Sequence, residues 1–235
     1  MKQEIPRIYQ DGTYLKNNPT WHTEDSQEKA EWIIRFIKRH RIQPSTICEV
    51  GCGAGEILNQ LSQKLNGDIT FYGYELSPQA FELCQAREKN NLLFYCKDVL
   101  EEEVFFDLLL AIDVVEHVED YLGFLRKLKT KGMYKIFRLP LNISLQSVFF
   151  KSTPILKARH TLGHLHYFTK ETALATLQDA GYRIIDFFYT YGPISLQHQG
   201  LKKYLPALLK KALFPLHKEW MARILDGFSL FILTE

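Results

Sequence analysis

Several features that mark other classes of protein are missing from this sequence. Its most apolar run, 104–112, has nine residues and contains Asp107, whereas a membrane-spanning helix needs about 20 apolar residues. The first ten residues, MKQEIPRIYQ, lack the apolar segment of a secretory signal. We therefore expect a cytoplasmic chain without a membrane span.

Cysteine, glycine, proline and net charge are also scarce. The four cysteines form no CxxC pair, so we expect reduced thiols and no structural zinc. With 13 glycines and 9 prolines, the chain is not of low complexity. The 29 basic and 27 acidic residues leave a net charge of +2, which argues against a general nucleic-acid-binding surface.

Strand-like and helix-like patterns alternate along the first 140 of the 235 residues. Such alternation predicts parallel βαβ units in a doubly wound α/β sheet. The pattern loosens after Pro140, where we expect helices within 142–160 and at 169–180. The predicted strands are 46–50, 69–75, 92–96, 105–112, 134–139, 182–189 and 228–234. The earlier predicted helices are 25–40, 56–65, 78–89 and 120–128, with Ser26 and Ser77 as possible N-caps.

A glycine-rich turn, Glu49-Val-Gly-Cys-Gly-Ala-Gly-Glu56, follows the first predicted strand and opens a helix. Glycines there allow a tight turn and a close approach of backbone to ligand. A dinucleotide site reads GxGxxG, but Glu56 stands at the third glycine position. Two carboxylates would repel a pyrophosphate, so the turn favours a cationic ligand. An ordinary tight turn is the alternative.

The segment from Glu49 to Gly55 resembles the first motif of class I S-adenosylmethionine-dependent methyltransferases, whose cofactor carries a sulfonium and an ammonium. The resemblance continues at Glu75, where the family has an acidic residue that accepts hydrogen bonds from both ribose hydroxyls. Cys96-Lys-Asp-Val99 is similar to the adenine-holding segment, and Ala111–Val118 to the segment around the methionine end. The four segments lie within 46–139.

This resemblance implies a seven-stranded, mostly parallel sheet of order 3-2-1-4-5-7-6, with a C-terminal antiparallel hairpin and a helical insert before the last strand. We expect a single domain with an N-terminal lid and helix (1–45), a cofactor-binding core (46–139), acceptor-side helices and insert (140–227), and a last strand (228–235). The implied cofactor-binding residues are Glu49, Gly51, Cys52, Gly53, Gly55, Glu75, Leu76, Lys97, Asp98, Val99, Ile112, Asp113 and His117.

The N-terminal segment carries Tyr14, Trp21 and His22 ahead of the first long helix. In many members of the family this region forms a lid, so Tyr14 and Trp21 are further candidates for cofactor contacts, and the lid would exclude water. A surface arm packed on the sheet edge is the alternative.

Three histidines are the candidate catalytic residues: His117, His164 and His166. Imidazole is a plausible base near pH 7. The spacing of His164 and His166 places both on one side of an extended segment. Loop histidines that hydrogen-bond to the backbone are the alternative.

A metal is possible but not expected. Asp113-x-x-Glu116-His117 with a later histidine resembles the pattern that holds a divalent ion in metal-dependent O-methyltransferases of ubiquinone synthesis and small-RNA 2′-O-methylation. Asp113 is one methylene shorter than the glutamate of that pattern.

The segment 197–226 carries six basic and two acidic residues, and Pro206 and Pro215 divide it into short amphipathic helices. It is either a cap over the acceptor pocket with a solvated basic face, or an interfacial segment that makes weak contact with anionic lipid.

The sequence thus predicts an S-adenosylmethionine-dependent methyltransferase that forms S-adenosylhomocysteine and acts on a small-molecule acceptor, with oxygen slightly preferred. A nicotinamide-dependent oxidoreductase and a non-catalytic S-adenosylmethionine binder are the alternatives. No nucleic-acid partner is expected, and monomer and homodimer are both open.

Overall fold

One seven-stranded sheet organises the computed structural model, which describes residues 7–9, 11–149, 153–191 and 217–235. The strand order β3-β2-β1-β4-β5-β7-β6 confirms the prediction. β1 to β5 pair in parallel, and β7 runs antiparallel to β5 and β6. The strands are β1 (Thr46–Val50), β2 (Thr70–Tyr74), β3 (Leu92–Tyr95), β4 (Phe106–Ile112), β5 (Gly132–Leu141), β6 (Ile184–Tyr191) and β7 (Phe228–Thr234).

Helices cover both faces of this sheet. The α-helices of the described ranges are α1 (Thr13–Asn17), α2 (Ser26–Arg39), α3 (Glu56–Lys64), α4 (Pro78–Gln85), α5 (Tyr121–Lys129), α6 (Leu145–Phe149), α7 (Thr153–Leu162), α8 (Lys170–Asp179) and α9 (Lys218–Ile224). Short 3₁₀ turns lie at Arg7–Tyr9, Thr23–Asp25, Val99–Glu101 and Val115–His117.

Side-chain caps fix where three of the helices begin. Ser77 accepts a hydrogen bond from the backbone N–H of Ala80 at the start of α4, as predicted. Asp120 caps α5, and Thr169 forms a reciprocal capping box with Thr172 at α8. These side chains satisfy backbone donors that the first helical turn leaves unpaired.

Several element boundaries differ from the sequence prediction. Ser26 is the first residue of α2, and it does not cap that helix. Helix α4 ends four residues before the predicted position 89, because the chain reverses there and Lys89 pairs with Leu92. The predicted helical stretch 142–160 is divided between α6 and α7. Strand β5 runs on through Pro140, which is tolerated because β4 stops pairing with β5 at Arg138.

Two apolar clusters lie on opposite faces of the sheet. Strand β4 shows the alternation that separates them: Leu108 and Leu110 join the cluster under α2 and α3, whereas Leu109 joins the cluster under α5 and α8. All three leucines are fully buried. Both faces of β4 are therefore buried, which explains why its sequence is a continuous apolar run.

Of the predicted segment 197–226, residues 197–216 lie outside the described residues, and α9 is the described helical part. Within the described ranges, no helix is both long and apolar enough to cross a membrane. All four cysteines are free thiols in the structure, and only Cys96 is exposed.

Candidate functional site

The glycine turn between β1 and α3 requires its glycines. Gly51, Gly53 and Gly55 have φ of 65°, 55° and 75°, a region that side chains disfavour. A Cβ on Gly53 would lie 2.7 Å from Cδ1 of Trp21, and one on Gly55 would lie 2.6 Å from the ring of Phe94. Gly53 thus lies against Trp21 of the N-terminal segment, and Gly55 packs against Phe94 of β3.

Glu75, at the end of β2, holds the turn through its carboxylate. Its Oε2 accepts the N–H of Gly53, and its Oε1 accepts those of Leu76 and Ser77, each at 2.8 Å. Burial raises the pKa of Glu75, while the three hydrogen bonds act in the opposite direction. A carboxylate offers about four acceptor positions, so about one remains for a ligand.

A cavity of about 750 Å³ opens at the carboxyl ends of the parallel strands. We call it the Glu75 cavity. Ligands of doubly wound folds bind at this edge of the sheet. Five of the predicted cofactor-binding residues line it without lining the second cavity: Glu75, Leu76, Lys97, Asp98 and Val99.

A second cavity of about 440 Å³ adjoins the first, and we call it the Arg138 cavity. Among the predicted residues, its wall includes Glu49, Cys52, Gly53, Ile112 and His164. The residues that line both cavities are Tyr14, Trp21, Gly51, Asp113 and His117. These five define the junction of the two cavities.

Asp113 is the charged centre of the junction. Its carboxylate is bonded to Arg138 and lies 3.1 Å from the Nζ of Lys29, which also pairs with Asp25 at 2.9 Å. Although burial by itself would raise the pKa of Asp113, the charges of Arg138 and Lys29 hold it below its usual range. The residue has φ of 57°, which is rare outside glycine.

Glu116, His117 and His164 form a second polar group, in the wall of the Arg138 cavity. Glu116 is fully buried, and neither of its carboxylate oxygens has a hydrogen-bond partner in the described part of the chain. The same is true of Nδ1 of His164. Burial raises the pKa of Glu116 well above its usual range and lowers the pKa of each histidine to about 4.

The contacts of His117 fix which ring nitrogen carries the proton. Its Nδ1 lies 3.2 Å from the carbonyl oxygen of Gly163 and 2.9 Å from the hydroxyl of Tyr9. Because Tyr9 donates its own proton to the carbonyl of Leu162 at 2.8 Å, Nδ1 of His117 is the donor. The lone pair is therefore on Nε2, which lies 3.9 Å from a carboxylate oxygen of Glu116.

The structure separates His166 from His164. The Nε2 of His166 lies 2.9 Å from the carbonyl oxygen of Val118, and its ring packs on Tyr121. It lines neither of the two cavities. The segment is not regularly extended, because Leu165 and His166 both donate their N–H to the carbonyl of Glu116. His166 therefore matches the alternative to a catalytic role, which was a loop histidine that hydrogen-bonds to the backbone.

The N-terminal segment lies over the junction, where a lid was predicted. Tyr14 is buried, and its ring centroid is 4.6 Å from that of Tyr9 and 4.7 Å from that of Trp21. His22 lines the Arg138 cavity. The aromatic rings thus cover the glycine turn through the contact of Trp21 with Gly53.

Some residues of the site were missed or differ from expectation. Lys29, Arg138 and Tyr9 were not predicted, although a charged residue inside the apolar pattern of β5 was a signal for Arg138. Gly55 lines neither cavity. Glu56 pairs with Arg87 at 2.5 Å, so its charge is matched within the protein.

A family model described as a methyltransferase domain matches residues 21–186. Pavine N-methyltransferase from Thalictrum flavum subsp. glaucum is 26% identical over 129 residues, which are 51% of this chain and 36% of that protein. The ubiquinone biosynthesis O-methyltransferase of Rickettsia bellii is 30% identical over 114 residues, 45% of this chain and 47% of that protein. The chain therefore matches less than half the length of either relative.

A solved structure of the N-methyltransferase NodS from Bradyrhizobium japonicum WM9, in complex with S-adenosyl-L-homocysteine, shares the fold. The TM-score is 0.59 at 14% identity, over 95% of this chain and 98% of that chain.

Proposed function

We infer that this chain, which belongs to the class I S-adenosylmethionine-dependent methyltransferases, transfers a methyl group to an oxygen atom of a small molecule. The observation that carries the choice of acceptor is the polar wall of the Arg138 cavity, where Glu116, His117 and His164 meet beside the junction. The Arg138 cavity, of about 440 Å³ under an aromatic lid, would be shared by the amino-acid end of the cofactor and the acceptor, which favours a small acceptor.

The described residues fit S-adenosylmethionine. Glu49 is buried, and its Oε2 has no hydrogen-bond partner in the described ranges. A buried carboxylate is stable when it is paired, and an ammonium group supplies such a partner. Glu49 and Gly51 would hold the amino-acid end, while Glu75 and Asp98 in the Glu75 cavity would hold the nucleoside. When bound, S-adenosylmethionine supplies an electrophilic methyl group on its sulfonium.

The protein would contribute in three ways: it positions the acceptor against the methyl group, it excludes water, and it accepts the acceptor's proton. Methyl transfer is an in-line displacement, so alignment at the junction supplies much of the rate. Tyr14 and Trp21 cover this point and exclude water. An acceptor hydroxyl must lose its proton, and the lone pair on Nε2 of His117 makes the wall able to receive it.

The hydrogen-bond donors of the same wall favour oxygen over nitrogen. Lys29 and Arg138 line the Arg138 cavity, where carboxylates match their charges: Asp25 and Asp113 pair with Lys29, and Asp113 also pairs with Arg138. A hydroxyl oxygen has two lone pairs, so it can accept a hydrogen bond from such an N–H group and still attack the methyl group, whereas a neutral amine has one lone pair.

Methyl transfer to matched acceptors tests the proposal. The protein is incubated with methyl-labelled S-adenosylmethionine and pairs of ring compounds that differ only in a hydroxyl or an amino group. We expect label in the hydroxyl compounds. Label in the amino compounds alone would refute the choice of oxygen.

Replacing Trp21 by alanine is expected to weaken binding of S-adenosylhomocysteine about tenfold, because the ring that covers Gly53 is removed. Isothermal titration measures this loss. Trp220, on α9, is 66% exposed; Trp220→Ala is the control, and we expect wild-type affinity from it. Equal affinities of the two variants would show that the lid does not contact the ligand.

A further inference from the structure

We propose that Tyr9 is a positioning residue: it holds the ring of His117 with its proton on Nδ1 and so keeps the lone pair of Nε2 available in the wall of the Arg138 cavity. The proposal rests on the proposed function, in which this lone pair receives the proton of the acceptor. Tyr9 lies in the N-terminal segment, at the end of a 3₁₀ turn, and lines the Glu75 cavity.

The ring of His117 has two possible tautomers, and only one of them suits the proposed reaction. Burial lowers the pKa of His117 to about 4, so the ring is neutral at pH 7 and carries its one proton on either nitrogen. With the proton on Nε2, the ring would have no lone pair on the side of Glu116, whose carboxylate oxygen lies 3.9 Å from Nε2. The partners of Nδ1 therefore decide whether the wall can accept a proton.

Two oxygen atoms accept the proton of Nδ1. The carbonyl oxygen of Gly163 lies 3.2 Å from this nitrogen, and the hydroxyl oxygen of Tyr9 is closer, at 2.9 Å. The hydroxyl gives its own proton to the carbonyl oxygen of Leu162 at 2.8 Å, so toward His117 it can only accept. Burial also raises the pKa of Tyr9 above its usual range, so the hydroxyl keeps this proton.

Contacts on several sides fix Tyr9 itself. Its ring centroid lies 4.6 Å from that of Tyr14 and 5.8 Å from that of His117, with the His117 ring perpendicular. Its backbone carbonyl accepts the hydroxyl of Ser77 at 2.9 Å. Gly163 has φ of 80°, and a Cβ there would lie 3.3 Å from the Tyr9 hydroxyl oxygen. Glycine at this position therefore lets the carbonyl and the hydroxyl converge on one nitrogen.

Tyr9 also connects the two cavities. Its backbone is bonded to Ser77, whose N–H is held by Glu75 in the cavity assigned to the nucleoside. Its hydroxyl is bonded to His117 and Leu162, which line the Arg138 cavity. Tyr9 can make both sets of contacts only while the N-terminal segment lies over the junction. The closed lid and the tautomer of His117 are therefore linked.

Tyr9→Phe removes the hydroxyl and keeps the ring. With the ring hydroxyl compound that takes up most label, we expect kcat to fall about tenfold at unchanged KM, because the net contribution of one hydrogen bond corresponds to such a factor. Tyr182→Phe is the matched control. The Tyr182 hydroxyl also donates to a leucine carbonyl, that of Leu125 at 2.7 Å, but it lines neither cavity. We expect wild-type kcat from this control.

Heteronuclear NMR of protein with isotopically labelled histidine reads the tautomer without an activity assay. His117→Gln identifies the signals of His117 by their loss. In the wild type and in Tyr182→Phe, we expect the tautomer with the proton on Nδ1. In Tyr9→Phe, the ring signals should move toward those of a histidine that exchanges between both tautomers, since only the more distant carbonyl of Gly163 remains.

Circular dichroism confirms that each variant is folded. Unchanged His117 signals in Tyr9→Phe, or wild-type kcat in this variant, would overturn the proposal. Equal losses of kcat in Tyr9→Phe and Tyr182→Phe would also overturn it, because a lost structural hydrogen bond would then explain both. A wild-type protein that methylates no hydroxyl compound, with His117 signals that still respond to Tyr9→Phe, would contradict the oxygen acceptor and support the hold of Tyr9 on the tautomer.

Discussion

Replacing Arg138 by methionine is expected to lower the free energy of unfolding by about 3 kcal/mol, because Asp113 then loses its main partner. Removal of one member of a buried ion pair typically costs about 3–5 kcal/mol. The lower end applies here, since Lys29 remains 3.1 Å from the carboxylate. Urea unfolding at neutral pH measures the change.

Arg126→Met provides the matched control, because Arg126 is exposed on α5; we expect it to change stability by less than about 0.5 kcal/mol. Equal effects of the two substitutions would mean that the pair with Asp113 contributes little to stability.

The deficit of Arg138→Met should also depend on pH. Asp113 has a lowered pKa in the folded protein, so its ionised form stabilises the fold above the unfolded pKa, and this contribution is lost as the pH falls through the folded pKa. The difference between the variant and the wild type is therefore full at neutral pH and narrows in acid. A deficit that grows on acidification would contradict the assignment.

Replacing Glu75 by alanine is expected to weaken binding of S-adenosylhomocysteine by about 100- to 1,000-fold. The substitution removes the acceptor position proposed for the ligand and also leaves three backbone N–H groups of the turn without their acceptor. Hydrogen bonds to a charged group contribute about 1.5–3 kcal/mol each, and about 1.4 kcal/mol corresponds to a tenfold change in affinity.

Glu82→Ala, at an exposed position of α4, is the control for this measurement. Calorimetric titration should give it wild-type affinity. Because Glu75 also supports the turn, Glu75→Gln is a useful third variant: it keeps an acceptor oxygen and should recover part of the loss. An affinity of Glu75→Ala within threefold of the wild type would refute the proposed role.

Several elements of the sheet were predictable from local patterns. Strands β1 and β7 have the predicted boundaries, and the glycine turn lies between β1 and α3 as its spacing indicated. These features depend on apolar runs and on glycines that adopt positive φ. Both kinds of residue can be recognised in the sequence. The strand order came from the family resemblance, because pairing of distant strands leaves no local pattern.

The charged centre of the site could not be predicted in the same way. Lys29, Asp113 and Arg138 come from α2, from the end of β4 and from β5, and only the folded sheet brings them together. The spacing of His164 and His166 was misleading, because it assumed an extended segment. The two N–H groups that bond to the carbonyl of Glu116 turn the chain there.

The backbone conformation of Asp113 has a consequence for substitution at this position. Among residues with a side chain, mainly asparagine and aspartate tolerate the left-handed region readily, and glycine adopts it without cost. The ion pairs with Lys29 and Arg138 favour a carboxylate at this position, and glutamate fits the backbone less well than aspartate. The backbone and the charges therefore favour the same residue for independent reasons. A neutral residue at position 113 would leave Arg138 without this carboxylate, so redesign of the junction is better started from α2 or β5.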